Sequence, residues 1–310
     1  MTGFDLGPLP ERVTVGVEQV RRLVRDQLPA WGDLPVRPVA RGGWDNWTFH
    51  LGADLVVRMP SAVEYAEAVE KEHRWLPVLA ARLPLPVPVP VARGVPGAGY
   101  PFGWSVYRWL DGQTVSDAPV TDPIGFAVAL ADFLAALRRI DTAGGPGPGV
   151  HNWFRGGPLQ TYDGLARGAL AELAGADVGL DLRAAAQLWD AALATPWDGA
   201  ARWFHGDVAP GNLLVRDGRL AAVIDFGTCG VGDPACDLAV AWTVMTGDAR
   251  RAFRDRLGVD DASWERGRGW ALWKTLSTCS YTYEDPEDPE DAADFAEARR
   301  VLGEILDDGS

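Results

Sequence analysis

The chain has 310 residues, 47% of them apolar and 14 of them Trp, and it is therefore long enough to bury the cores of two lobes or domains. A net charge of −14 argues against a nucleic-acid binder, which needs a basic face to meet phosphate, and the acidic surface either attracts a cationic substrate or only keeps the protein in solution. Three cysteines without metal-ligand or disulfide-like spacing, no signal-like start and no apolar run of about 18 residues together predict a cytoplasmic protein without a membrane span.

The N-terminal third is predicted to be strand-rich. Apolar residues at helical spacing predict a helix over 15–31, and short strand-like runs follow it. Ser61 is predicted to open a second helix, with Glu64 as its capping-box partner, and the proline-rich run 83–90 ends that helix. The predicted strands are 36–40, 47–51, 55–59 and 104–110.

From Asp122 onward the pattern is mostly helical. The run of Gly and Pro at 144–149 is predicted to be a loop, because it lacks the strand before and the helix after that a phosphate-binding loop has. Neither a P-loop motif nor a Gly-x-Gly-x2-Gly motif occurs, which argues against a P-loop kinase and a dinucleotide-binding domain. The predicted helices are 126–140, 160–175, 181–194, 234–246, 249–257, 263–281 and 291–306.

The most informative stretch is His205-Gly206-Asp207-Val208-Ala209-Pro210-Gly211-Asn212, followed closely by Ile224-Asp225-Phe226-Gly227. Two short apolar runs lie between these motifs and flank an Asp-Gly pair, which is a strong hairpin signal. Such a hairpin would bring Asn212 and Asp225 to one site. Each polar residue alone is typical of a turn or a strand end. Together they form the set that phosphoryl transfer requires, with one carboxylate for the attacking hydroxyl and a carboxamide and a second carboxylate for magnesium.

The pattern His-Gly-Asp-x4-Asn, followed by Ile-Asp-x6-Gly-Asp-Pro-x2-Asp-Leu-Ala, resembles the aminoglycoside phosphotransferase family, a group of protein-kinase-like small-molecule kinases. The resemblance implies an α+β, bilobal protein-kinase-like fold. Residues 1–110 would form a small N-terminal antiparallel-sheet lobe that binds the nucleotide. Residues 111–310 would form a larger, mainly helical C-terminal lobe for catalysis and substrate binding.

Roles for the motif residues follow from the same resemblance. Asp207 is expected to be the catalytic base, and Asn212 and Asp225 are expected to be the magnesium ligands. His205 and Asp237 would be scaffold residues that fix the catalytic loop. The expected cofactors are therefore ATP and Mg²⁺.

The nucleotide half of the site is expected in the N-terminal lobe. The glycine-containing turn 42–46, with Gly43 and Asn46, is either a lid over the phosphates or an ordinary hairpin turn. Arg58 stands where such kinases usually carry a lysine, and it either binds the α- and β-phosphates or faces solvent. Its best partner on the following helix is Glu72.

The resemblance also predicts where adenine binds. The carbonyl of Arg108 and the N–H of Leu110 would hydrogen-bond the purine edge. These are backbone contacts, so the side chains at the two positions carry little information.

The acceptor is expected to be small. Only seven residues separate Asp225 from Asp233, which leaves little room for the activation segment of a protein kinase. The acidic run around Glu284 and Asp285 either grips ammonium groups of the acceptor or forms a solvated loop. Trp270 either packs against a sugar ring or fills the core.

The sequence thus predicts an ATP- and magnesium-dependent phosphotransferase acting on a hydroxyl of a small, cationic molecule, first of all an aminoglycoside-type antibiotic, which would make the protein a resistance enzyme. Alternative acceptors are a macrolide, choline, homoserine or an amino sugar. A second hypothesis, motivated by Arg58, is a catalytically silent nucleotide-binding module. No nucleic-acid, membrane or protein partner is implied.

Overall fold

The N-terminal part of the molecule is a five-stranded antiparallel sheet with a helix packed on each face. The structure is a computed structural model that describes residues 10–40, 42–176, 179–283 and 288–308. The strands lie in the order β1-β2-β3-β5-β4. Their bounds, with those of the two helices, are β1 (Val36–Pro38), β2 (Asn46–Leu51), β3 (Leu55–Pro60), β4 (Pro90–Gly94), β5 (Trp104–Arg108), α1 (Val17–Gln27) and α2 (Val63–Ala80).

The alternation of side chains along β3 divides this sheet into two faces. Val57 and Met59 share a hydrophobic core with α1. Val56 belongs instead to the larger core that includes α2. Successive residues of a strand point to opposite faces, so Arg58 shares the face of Val56. The cation predicted for nucleotide binding therefore lies on the α2 side of the sheet.

The C-terminal part is mainly helical and is organised around one long helix. Many of its largest side chains, including Trp189, Trp203 and Trp242, are fully buried. The long helix α8 packs against α4, α5 and α9. The helix bounds are α3 (Pro123–Arg138), α4 (Asp163–Ala176), α5 (Leu182–Leu193), α6 (Val240–Thr243), α7 (Gly247–Leu257), α8 (Asp261–Thr282) and α9 (Pro289–Asp307). Within the described ranges, no helix combines the length and the apolar character needed to cross a membrane.

Short strands position the predicted catalytic motifs in this part. One small sheet has the order β6-β8-β9, and β7 pairs antiparallel with β10. The predicted hairpin is β8–β9, and its Asp-Gly turn has positive φ at both residues. The strand bounds are β6 (Gln113–Thr114), β7 (Arg202–Phe204), β8 (Leu213–Arg216), β9 (Arg219–Val223) and β10 (Gly230–Gly232).

Some local predictions were wrong. Ser61 does not cap α2, because the helix begins at Val63 and Ala62 stands at the N-cap without a side-chain bond. The Ser61 hydroxyl is buried and donates instead to the carbonyl of Trp44, at 2.9 Å. The predicted helix 234–246 is a 3₁₀ turn that continues into the single-turn helix α6. Strand β4 was missed because its first residue ends a proline-rich run, and proline is tolerated there because β4 lies at the edge of the sheet.

Candidate active site

Buried hydrogen bonds hold the loop that follows β7 in a fixed conformation. The fully buried carboxylate of Asp237 accepts the backbone N–H of His205 at 3.0 Å and that of Gly206 at 2.7 Å. The His205 ring lies 2.9 Å from the carbonyl of Ile224, which ties the loop to the end of the hairpin. Gly206 has φ +86°, and a Cβ there would approach the carbonyl oxygen of Thr228 to 2.8 Å. The loop thus presents Asp207 in one orientation.

The role of Asp237 can be tested through stability. Asp237→Asn replaces one acceptor oxygen with an amide nitrogen, which then faces a buried backbone N–H. We expect the free energy of unfolding to fall by about 1–3 kcal/mol, measured by chemical denaturation. Asp248→Asn on α7 removes an exposed carboxylate and is the matched control, which should lower stability much less. Equal stability of the Asp237 variant and the wild type would contradict this role.

Asp207 has polar partners on both carboxylate oxygens. Oδ1 accepts a hydrogen bond from the ammonium of Lys274, and Oδ2 accepts one from Asn212 Nδ2 at 3.0 Å. The same Asn212 nitrogen also donates to the Asp207 carbonyl, at 2.9 Å. Burial alone would raise the pKa of Asp207, but Lys274, with Arg155 and His205, outweighs burial and lowers it to about 2. Asp207 is therefore ionised at neutral pH.

Arg58 links the sheet, α2 and the end of the hairpin. Its Nη2 donates to Asp225 Oδ1 at 2.8 Å, and its Nη1 lies 3.6 Å from Glu72 Oε1. Glu72 is buried and also accepts the hydroxyl of Tyr107. Asp225 has φ +65°, a left-handed conformation that Asp adopts more readily than most residues. The structure therefore pairs Arg58 with Glu72 and brings Asp225 to the same point.

Arg58, Asn212 and Asp225 open onto a cavity of about 890 Å³ between the sheet and the small hairpin sheet. Its walls include Val56, Trp109 and Leu214, a set suited to a flat aromatic ring. Seven of the residues predicted for nucleotide or metal binding line it: Gly43, Asn46, Arg58, Arg108, Leu110, Asn212 and Asp225. Glu72 does not line the cavity and contacts two residues that do, Arg58 and Tyr107.

The oxygen donors at this cavity suit a hard cation. Asn212 directs its nitrogen at Asp207, which leaves its amide oxygen for another partner. The structure describes one hydrogen-bond donor to the Asp225 side chain, Arg58, and the bond goes to Oδ1. An amide oxygen and a carboxylate oxygen on one cavity wall are ligands of the kind that Mg²⁺ takes together with phosphate oxygens. The residues present therefore fit a magnesium–nucleotide complex.

Lys71 and Lys274 are functional candidates that the sequence reasoning missed. The chain has only these two lysines. Its other basic residues are Arg and four His. Lys71 lies on α2 and donates to the Gly227 carbonyl, directly after the hairpin. Lys274 lies on α8 and contacts Asp207. The scarcity of lysine could have drawn attention to both positions, because Lys is a compact point charge that Arg does not replace.

Asp45, in the glycine-containing turn, was also missed. Burial, together with the negative charges of Asp225 and Asp207, raises the pKa of Asp45 to about 7. Arg58 and Arg12 act in the opposite direction. Asp45 is therefore only partly ionised at neutral pH.

The prediction of Trp270 as an acceptor-binding residue is corrected. Its side chain is 1% exposed and packs edge-on against Tyr162 and Trp273. A ring without exposed surface cannot stack on a sugar, so Trp270 fills the core. The other two predicted acceptor-binding residues, Glu284 and Asp285, lie outside the described residues.

Comparisons with known proteins bear on the family and the fold of the chain. A sequence model described as "Phosphotransferase enzyme family" (APH) matches residues 36–270. No curated protein matches at a significant level. The GDP complex of wild-type aminoglycoside 2′-phosphotransferase-IIIa is 18% identical, with a TM-score of 0.67, and the match covers 96% of this chain and 100% of that chain.

Two further solved structures show the same fold. The ADP-bound aminoglycoside phosphotransferase APH(2″)-Ib is 17% identical, with a TM-score of 0.57, over 94% of this chain and 99% of that one. The apoenzyme of macrolide 2′-phosphotransferase MphH from Brachybacterium faecium is 22% identical, with a TM-score of 0.58, over 92% of this chain and 97% of that one. The predicted bilobal α+β fold is thereby confirmed.

Proposed function

Since this chain belongs to the phosphotransferase enzyme family, we propose that it transfers the γ-phosphate of ATP, in the presence of Mg²⁺, to a hydroxyl group of a small molecule. The observation that carries this proposal is the convergence of three side chains. Asp207 and Asn212 are hydrogen-bonded to each other, and Asn212 lines the same cavity as Asp225. Two oxygen-bearing side chains at the cavity, and a third that is hydrogen-bonded to one of them, are the set required for phosphoryl transfer.

Asp207 is proposed to orient the acceptor hydroxyl and to take its proton. Its low pKa makes it a weak base before the reaction. This suits phosphoryl transfer, because the transition state is largely dissociative and catalysis consists mainly of positioning and electrostatic stabilisation. His205 and Asp237 support this by fixing the loop. The chemistry requires no covalent enzyme intermediate.

Asn212 and Asp225 are proposed to hold the magnesium. When bound, the ion would neutralise charge on the β- and γ-phosphates. Arg58 is proposed to contact the α- and β-phosphates from β3, as the usual lysine does, while Glu72 fixes its direction. The apolar wall of the cavity is proposed to take the adenine, next to the backbone of Arg108 and Leu110.

For the acceptor, aminoglycoside-type antibiotics are proposed as the first class to assay. Solved structures similar to this chain include kanamycin and gentamicin complexes of APH(2″) proteins and a macrolide 2′-phosphotransferase. A resistance role and a cytoplasmic location remain part of this proposal.

The proposal is tested by a transfer assay. The protein is incubated with ATP, Mg²⁺ and acceptors of different charge, and products are detected by the mass gain of one phosphoryl group. We expect at least one phosphorylated acceptor, and we expect EDTA to abolish the reaction. Magnesium-dependent binding of ATP without transfer to any acceptor or to water would instead indicate a silent binding module.

The role of Arg58 is tested with two substitutions. Arg58→Met leaves the buried Glu72 without its cation, so we expect the free energy of unfolding to fall by about 3 kcal/mol or more and the KM for ATP to rise. Arg58→Lys keeps the charge and should retain most of the stability and a measurable affinity for ATP. Calorimetric titration with ATP checks both variants. Unchanged ATP affinity in Arg58→Met would remove Arg58 from the nucleotide site.

A further inference from the structure

A lysine on the helical lobe lies directly against the proposed catalytic base. Lys274 is on α8, 67 residues after Asp207, and its ammonium donates to Asp207 Oδ1. The chain has one other lysine, Lys71, and all its remaining strong bases are Arg. Lys71 donates to the carbonyl of Gly227, in the second catalytic motif. The two positions at which this chain uses lysine are therefore both beside the catalytic motifs.

This ion pair is not one that the fold needs. The Lys274 and Asp207 side chains are 27% and 35% exposed, and pairs of this exposure contribute little to stability. The same helix carries a different kind of pair, Arg266 with Asp233, whose side chains are only 8% and 5% exposed. The buried pair fixes α8 to the rest of the lobe, whereas Lys274 projects towards the reacting group.

We propose that Lys274 selects the acceptor by charge, so that the group beside the reacting hydroxyl is neutral or anionic and is not an ammonium. This inference rests on the proposed phosphotransferase function and narrows its acceptor class. An aminoglycoside fits such a site only through a hydroxyl whose neighbouring carbons carry no ammonium.

The inference depends on the charges that lie beside the reacting hydroxyl. A hydroxyl that hydrogen-bonds Asp207 lies about 3 Å from one of its oxygens, and Lys274 already occupies Oδ1. A group on the next carbon is then near both charges of this ion pair. The ionised Asp207 alone would attract an ammonium there, and Lys274 opposes that attraction. For charges about 4 Å apart, the opposing factor is about 5-fold in a water-filled site and roughly 10³-fold when the effective dielectric constant is near 20.

The other charged groups near Asp207 reinforce this polarity. Arg155 Cζ lies 4.5 Å from the ring centroid of Trp273, and Trp273 is the residue before Lys274. Arg155 also lowers the pKa of Asp207. Asp225 is paired with Arg58 on the nucleotide side. Lys274 and Arg155 are thus two cations of the helical lobe that act on Asp207.

The reaction itself balances without any further reactant. The acceptor oxygen forms a bond to the γ-phosphorus while the bond from that phosphorus to the β–γ bridging oxygen breaks. ADP leaves with the electron pair, and the hydroxyl proton passes to Asp207 and then to solvent. Lys274 takes no proton and acts only through its charge.

The experiment compares acceptors that differ in charge. Wild-type protein is assayed with ATP and Mg²⁺ against glucosamine and kanamycin, their N-acetylated forms, glucose and D-glycerate, and the phosphorylated position is mapped by NMR. We expect the best acceptor to lack an ammonium beside the phosphorylated hydroxyl. We also expect N-acetylation not to lower kcat/KM, because Lys274 offsets the attraction of Asp207 for the free ammonium.

Variants then assign the selectivity to Lys274. Lys274→Met should lower the ratio of kcat/KM between N-acetylated and free amino acceptors by about 5-fold or more, and Lys274→Arg should preserve it. Arg256→Met removes a cation from the surface of the same lobe and should leave the ratio unchanged. A purely structural role of Lys274 would lower activity towards all acceptors alike, and melting temperatures identify variants that fail to fold.

Two results overturn the inference. An ammonium beside the phosphorylated hydroxyl of the best acceptor, or an unchanged ratio in a folded Lys274→Met variant, contradicts it while the phosphotransferase function stands. Absence of any transfer to these acceptors or to water overturns both.

Discussion

Replacing Asp207 with Asn is expected to lower the turnover for phosphoryl transfer by about 10²-fold or more, the usual scale for loss of a general base. The amide keeps the shape of the side chain and can still accept a hydrogen bond from Asn212. It cannot take a proton, and it removes the negative charge that faces Lys274. ATP affinity should change little, because Asp207 is not among the residues that line the nucleotide cavity.

The control for this variant is Asp132→Asn. Asp132 also pairs with a basic residue of the helical lobe, Arg256, but at the surface. Its loss should leave turnover at the wild-type level. Full activity of a folded Asp207→Asn protein would remove Asp207 from the proposed role.

Replacing Asp225 with Asn is expected to lower turnover by about 10²–10³-fold, the scale seen when one electrostatic contact to a transition state is lost. The substitution removes the charged oxygen proposed for magnesium and breaks the ion pair with Arg58. The backbone should not be strained, since Asn adopts left-handed conformations readily. We also expect Mg²⁺ to strengthen ATP binding much less than in the wild type, measured by calorimetric titration with and without EDTA.

The chain offers a matched control for Asp225. Asp217 also has positive φ (+53°), and it lies in the turn of the same hairpin with its side chain exposed. Asp217→Asn should therefore leave turnover and the effect of Mg²⁺ on ATP binding unchanged. If Asp225→Asn also kept the full magnesium effect, Asp225 would not be a ligand of the ion.

The site residues predicted correctly to lie together are close in sequence or joined by one predictable turn. The Asp-Gly turn fixes the hairpin, and the hairpin brings the Asn212 end of β8 next to the Asp225 end of β9. The pairing of Arg58 with Glu72 also follows from local order, because a strand leads directly into the helix that packs on it. Their functional roles stay predictions until they are measured.

The contacts that the sequence reasoning missed depend on long-range packing. Nothing near Lys274 in sequence indicates that α8 carries it to Asp207, and only the scarcity of lysine marks the position. The sequence left Trp270 between the acceptor site and the core. Its helix α8 has buried residues on all sides, so periodicity does not distinguish a core face from a cleft face. The capping box failed because tertiary burial of Ser61 overrode a local signal.

The most direct test of the central claim is a crystal structure of the protein with Mg²⁺ and a non-hydrolysable ATP analogue. We predict a metal ion about 2.1 Å from an oxygen of Asn212 and an oxygen of Asp225. The γ-phosphate should lie between that ion and Asp207, with adenine next to Arg108 and Leu110. A nucleotide bound elsewhere, or an ion held by other side chains, would contradict the account.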